Sequence, residues 1–163
     1  MKATKNIAWY ELVPKAYYRN NEGYASAFQR VMDQGIVQAG QWFIERWGTT
    51  YLNDWYWGGG NDSRGWRPAD DPDGAALSQH KFGRALDGSP ESASPVEVHV
   101  DIINNPQLYL DAGITTFETV WLTPSWVHMD NRWHGIDGLM FVDLQNAYTL
   151  EEYRNKLKDK SII

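Results

Sequence analysis

"SPVEVHVDIINNP", residues 94–106, reads two ways, and the class of the fold turns on the choice. Val96, Val98, Val100 and Ile102 alternate as on a strand, while Val96, Val100 and Ile103 share one face of a helix. The flanks decide. Ser94 stands as an N-cap, Pro95 occupies the first helical position, Glu97 lies three residues after the cap, and Pro106 supplies a stop. The segment is therefore expected to be a helix, with His99 on its surface.

Working upstream, Tyr24, Ala27, Phe28, Val31 and Met32 form the apolar stripe of an amphipathic helix, which Gly35 and Gly40 are expected to break before "QWFIERWG". Residues 49–57, "TTYLNDWYW", read as a strand running into the glycine-rich loop "GGGNDSRG". Strand alternation would send Trp55 and Trp57 to the core and leave Tyr56 outward, which favours packing over sugar stacking for this cluster. The acids of "ADDPDGAA", residues 69–76, miss the spacing of a calcium loop and read as a solvated connection.

Downstream, "GITTFETVW" and "SWVHMD" look like strands on either side of a turn at Pro124, and "GLMFVDL" like a third. An antiparallel sheet is expected. Thr149 and Glu152 make a second capping box, opening a closing helix through Leu150, Tyr153 and Leu157 before a frayed "KDKSII" tail. Helices first, strands later and helices between them define an α+β class, with residues 1–163 as a single domain: N-terminal helices packed on a small antiparallel sheet.

Composition narrows the function. A formal net charge of −6 argues against a nucleic-acid partner, whose phosphates call for clustered Lys and Arg. No window approaches the roughly 18 apolar residues of a membrane span, and the first residues lack the apolar run of a secretory signal, so neither membrane insertion nor export is expected. The chain has no cysteine, so a metal would have to be held by histidine and carboxylate.

Four histidines are available. His80 and Asp87 would stand about 23 Å apart on a straight strand at roughly 3.3 Å per residue, so a shared ion requires the chain to double back. Gly83 is where it can turn. Ala85 and Asp87 then share a face of the returning strand, the small Ala85 leaving room beside the carboxylate. His128 is the best third ligand because it sits mid-strand, and Asp130, two residues on, points to the same face. His134 falls in a loop, where a solvated histidine is the usual finding. On spacing alone, surface groups beside a turn remain the commoner explanation.

The pattern Ser78-x-His80-x-x-Gly83-x-Ala85-x-Asp87 resembles the signature of the zinc D-alanyl-D-alanine carboxypeptidases and L-alanyl-D-glutamate endopeptidases, a family that includes phage endolysins and has a hedgehog-like zinc peptidase fold. "SWVHMD" resembles its second metal motif, "NDWYWGGGNDSRGWRP" its strand and loop ahead of the first, and "WYELVP" the opening of phage-type members. The likeness spans roughly residues 7 to 134. It implies Zn2+ held by His80, Asp87 and His128, a small α+β domain with a groove, and hydrolysis of peptide bonds in peptidoglycan stem peptides. It also implies the setting of a phage particle or lysis system: cytoplasmic until released, or virion-associated. Arg67 stands at the place of a substrate-binding arginine, and Ser78 is a candidate to orient substrate.

A zinc-activated water needs a carboxylate to take its proton. Asp130 and Glu118 are both candidates, and the sequence does not separate them. Some relatives place the catalytic acid three residues before the last histidine, where this chain has Ser125. A non-catalytic virion or wall-binding protein that keeps the fold is therefore the rival reading.

Overall fold

The capping signals at Ser94 behave as their chemistry dictates. Ser94 Oγ accepts from the Glu97 N–H at 3.3 Å and the Glu97 carboxylate accepts from the Ser94 N–H at 2.7 Å, opening helix α4 at Pro95–Asn104. The computed structural model describes all 163 residues. Its other helices are α1 (Lys15–Asn20), α2 (Ala25–Val31), α3 (Gln34–Trp47), α5 (Pro106–Asp111) and α6 (Leu150–Asp159). Thr149 and Glu152 cap α6 reciprocally, as expected, and the helix extends through Lys158 and Asp159 rather than fraying there.

The strands are β1 (Thr50–Tyr51), β2 (Ala85–Pro90), β3 (Thr116–Glu118), β4 (Val127–Asp130), β5 (Met140–Val142) and β6 (Ala147–Thr149), in the order β1-β2-β4-β3-β5-β6. The sheet is mixed, which corrects the antiparallel expectation: β3 and β5 run parallel, and every other pairing is antiparallel. The cause is a crossover. The chain leaves β4 and reverses, but enters the far side of β3 instead of returning beside β4, so β5 acquires the direction of β3.

Register sorts side chains between the two faces. Leu86 pairs with Met129, Met129 with Phe117, and Phe117 with Phe141, a row of fully buried apolar residues. The helices pack on this face: His99 of α4 meets Phe117 and Phe141, and Tyr153 of α6 stacks on Phe141 at 3.9 Å. The α3 helix reaches Leu86 through Gly40, where an added Cβ would lie 2.6 Å from the Leu86 Cδ1. Gly40 is thus a contact point inside a continuous helix and not a break. The interruption falls earlier, at Asp33, whose side chain caps α3 by accepting from the Ile36 N–H.

Two further expectations fail for related reasons. Residues 55–57 form a 3-10 turn, so alternation does not apply: Trp55 is buried while Tyr56 and Trp57 are both exposed. His99 is not a surface residue. The buried face of α4 is Val98, His99, Ile102 and Ile103, displaced from the Val96–Val100–Ile103 stripe because the neighbours of α4 lie on that side. No helix is long and apolar enough to cross a membrane.

Candidate metal centre

The opposite face of the same strands is polar. Asp87 of β2 pairs with His128 of β4, and Ala85 with Asp130, so these four side chains share that face. His80 arrives from a 3-10 turn, Gln79–Phe82, that ends at Gly83 with φ 67°. A side chain at Gly83 is excluded twice over, by its left-handed backbone and by the Val31 carbonyl, which would sit 1.8 Å from an added Cβ. The expected reversal at Gly83 therefore exists, and it folds His80 back over Asp87.

His80, Asp87 and His128 are all buried, and their ligand atoms lie within 4.8 Å of one another. His80 Nε2 is 3.2 Å from His128 Nδ1 and 3.3 Å from Asp87 Oδ1, and His128 Nδ1 is 2.8 Å from Asp87 Oδ1. Donors around a tetrahedral ion with bonds of about 2.0 Å stand roughly 3.3 Å apart, so this triangle is close to one face of such a tetrahedron. The residues present fit a divalent metal, and this cluster could hold one.

Both histidines are oriented from behind. His80 Nδ1 lies 2.7 Å from the Gly65 carbonyl, which fixes the proton on Nδ1 and leaves Nε2 free to donate its lone pair. Gly65 is itself clamped: an added Cβ would lie 2.2 Å from the Leu12 carbonyl, and the next residue, Trp66, donates to that same oxygen. His128 Nε2 is 3.2 Å from Asp130 Oδ2, and Asp130 is held in turn by Arg132 through both its oxygens. Ala85, directly across from Asp130, leaves space for that carboxylate.

Charge is arranged to attract a cation. Burial raises the Asp87 carboxyl, but the charges and hydrogen bonds of His80 and His128 overcome it and hold the group well below the carboxylate range. Burial alone would lower His128. Its hydrogen bonds to Asp130 and Asp87, with the charges of Asp87 and Glu118, instead push it up to about 10. The negative potential that holds a proton on His128 is equally suited to a metal ion, which would replace that proton on binding.

A groove of about 610 Å³ opens over the cluster. Glu118 and Arg67 line it beside His80, Asp87 and His128, as does Ser78. Arg67 does not pair with Asp70 or Asp71. Its Nε donates to the Ser63 carbonyl at 2.5 Å and its guanidinium lies 3.5 Å from Asp87 Oδ2. Asp130 is fully buried and does not line the groove. Ser125 is exposed and its carbonyl accepts from Ser89, so no acid occupies that position. His134 lies apart, 3.3 Å from the Thr115 carbonyl.

Sequence reasoning missed Gly65 and Arg132 as orienting partners and the β5–β6 hairpin, residues 143–146, as a groove wall. Arg132 had a visible signal, the acid two residues before it. Gly65 had none, because its role depends on contact with Leu12. The comparisons with known proteins find no matching family, no matching curated protein and no matching solved structure.

Proposed function

We propose that the protein is a zinc-dependent peptidase acting on peptidoglycan stem peptides, with His80, Asp87 and His128 as the metal ligands. One observation carries the reading: three donor atoms set 2.8 to 3.3 Å apart, buried at the base of an open groove. Three protein donors with room for a fourth ligand are the pattern of hydrolytic zinc sites, whereas structural sites are closed. Bound zinc there would supply a water of lowered pKa and polarise the amide carbonyl.

The residues divide the remaining work. Glu118 lines the groove and has no partner comparable to Arg132, so it is the carboxylate suited to take a proton from water and return it to the leaving nitrogen. Asp130 commits its oxygens to Arg132 and His128 and acts by orienting the imidazole. Arg67, fixed by Ser63, is placed to bind a substrate carbonyl or carboxylate and to stabilise the charge that develops as water attacks.

The rival, a non-catalytic wall-binding or virion protein, has Ser125 in its favour, since some peptidases of this type carry an acid there. Incubating zinc-loaded protein with purified stem peptides, with and without chelator, separates the two. New amine ends are expected in the zinc-loaded sample alone. Stoichiometric zinc without cleavage would leave the binding protein as the better account.

A further inference from the structure

A second cleft lies at the β1 edge of the sheet and is built from the aromatic segment that the metal centre does not use. We infer that the cleft lined by Tyr51 and Trp57 binds a pyranose ring of a neutral glycan. It is a space of about 480 Å³, and Trp57 and Tyr51 are 62% and 44% exposed. Both rings line one concave space, and their apolar faces suit the C–H face of a sugar.

The aromatic surface is held rigidly. Tyr10 stacks on Tyr56 with centroids 4.1 Å apart and meets the Trp57 ring at 89°, fixing its plane. Beneath it, Asp54 accepts from the Asn61 N–H at 2.8 Å and from Asn61 Nδ2 at 2.6 Å, closing the glycine loop. Gly59 passes so close that an added Cβ would lie 2.0 Å from the Asp54 carboxylate.

The polar lining selects among ligands. No Lys or Arg lines the cleft, so an anion finds no counter-charge. A cation is no better served: both oxygens of Asp54 accept from Asn61, and Glu11 Oε2 accepts from the Ala8 N–H at 2.7 Å. What remains is the second carboxylate oxygen of Glu11 and the hydroxyls of Thr49 and Thr50, groups that pair with the hydroxyls of a sugar.

The cleft also shares a sheet face with the metal ligands. Tyr51 pairs with Ser89, and Ser89 lies two residues beyond Asp87 on β2, so all three side chains point the same way. A glycan seated at Tyr51 would lie beside the groove without entering it. This inference does not require the metal or turnover.

Titration of the intact protein with neutral β-1,4-linked tetramers of glucose and of N-acetylglucosamine, followed by tryptophan fluorescence and calorimetry, tests it. Saturable binding is expected for at least one tetramer, unchanged by chelator, weakened about tenfold or more by Trp57→Ala and by Tyr51→Ala. Trp133→Ala, at an exposed ring outside the cleft, should leave it unchanged. The inference is overturned by absence of saturable binding to either tetramer, by equal binding in Trp57→Ala and the parent, or by binding of only a proline-rich peptide or tetramethylammonium.

Discussion

The two faces of one sheet are built from alternate residues of the same strands, and they obey opposite rules. Leu86, Met129, Phe117 and Phe141 face the helices, where burial of each side chain contributes about 1.5–3 kcal/mol. Asp87 and His128, one position along, face the groove, where burial works against them and only mutual hydrogen bonds and charge make it tolerable. The histidines show the contrast most directly. His99 and His128 are both buried, yet burial lowers His99 to about 3 while carboxylate partners push His128 up to about 10. Burial sets the protonation state of His99, which faces no charged partner, and the carboxylates override it at His128.

The comparison can be broken first on the apolar face. Phe141→Ala should cost about 3–5 kcal/mol in urea unfolding, because the surrounding helices cannot close the cavity. Zinc stoichiometry of the fraction that remains folded should not change. Loss of zinc from folded Phe141→Ala protein would mean that the faces are not energetically separate.

On the polar face, under the proposed peptidase reading, Glu118→Gln should lower turnover about 10²–10⁴-fold with zinc content and thermal midpoint retained. Equal turnover in the variant would remove Glu118 from the proton-transfer role. Asp130→Asn should behave differently, weakening zinc affinity about 10–100-fold through the released imidazole, as measured against a competing chelator. An unchanged affinity would show that Arg132 and Asp130 serve the fold alone.

The effect that is smallest at neutral pH, where it vanishes, concerns His99. Its folded-state pKa is depressed to about 3, so between there and about 6.5 the unfolded chain binds more protons and stability falls as the pH falls. The slope from this group is at most about 1.4 kcal/mol per pH unit. His99→Phe should flatten the stability curve between about pH 6.5 and 4, above the range where carboxylates dominate. The absolute stability of that variant also reflects the lost hydrogen bond between Tyr153 and His99 Nδ1, so the slope is the diagnostic quantity. A slope equal to the parent's would show that His99 carries charge in the folded protein.

What the sequence made legible was local. The capping boxes at Ser94 and Thr149 act within one helical turn, and the reversal at Gly83 follows from a residue that alone tolerates its backbone. The His80–Asp87 approach follows from that reversal, and the shared face of His128 and Asp130 from the two-residue period of a strand. The errors arose where a distant segment decides. Gly40 looks like a helix breaker until Leu86 is seen against it, and His99 looks exposed until Phe117, Phe141 and Tyr153 surround it.

The sequence by itself determined the α+β class, the placement of most helices and strands, and the three residues that gather at the candidate metal centre. Only the tertiary structure decided that β5 runs parallel to β3, that Asp130 is held by Arg132 while Glu118 lines the groove, and that Trp57 faces solvent. The physical reason is the range of the forces involved. Backbone sterics and side-chain caps act between residues a few positions apart, whereas the order of strands and the partner of a carboxylate depend on which remote segments share the limited space around one core.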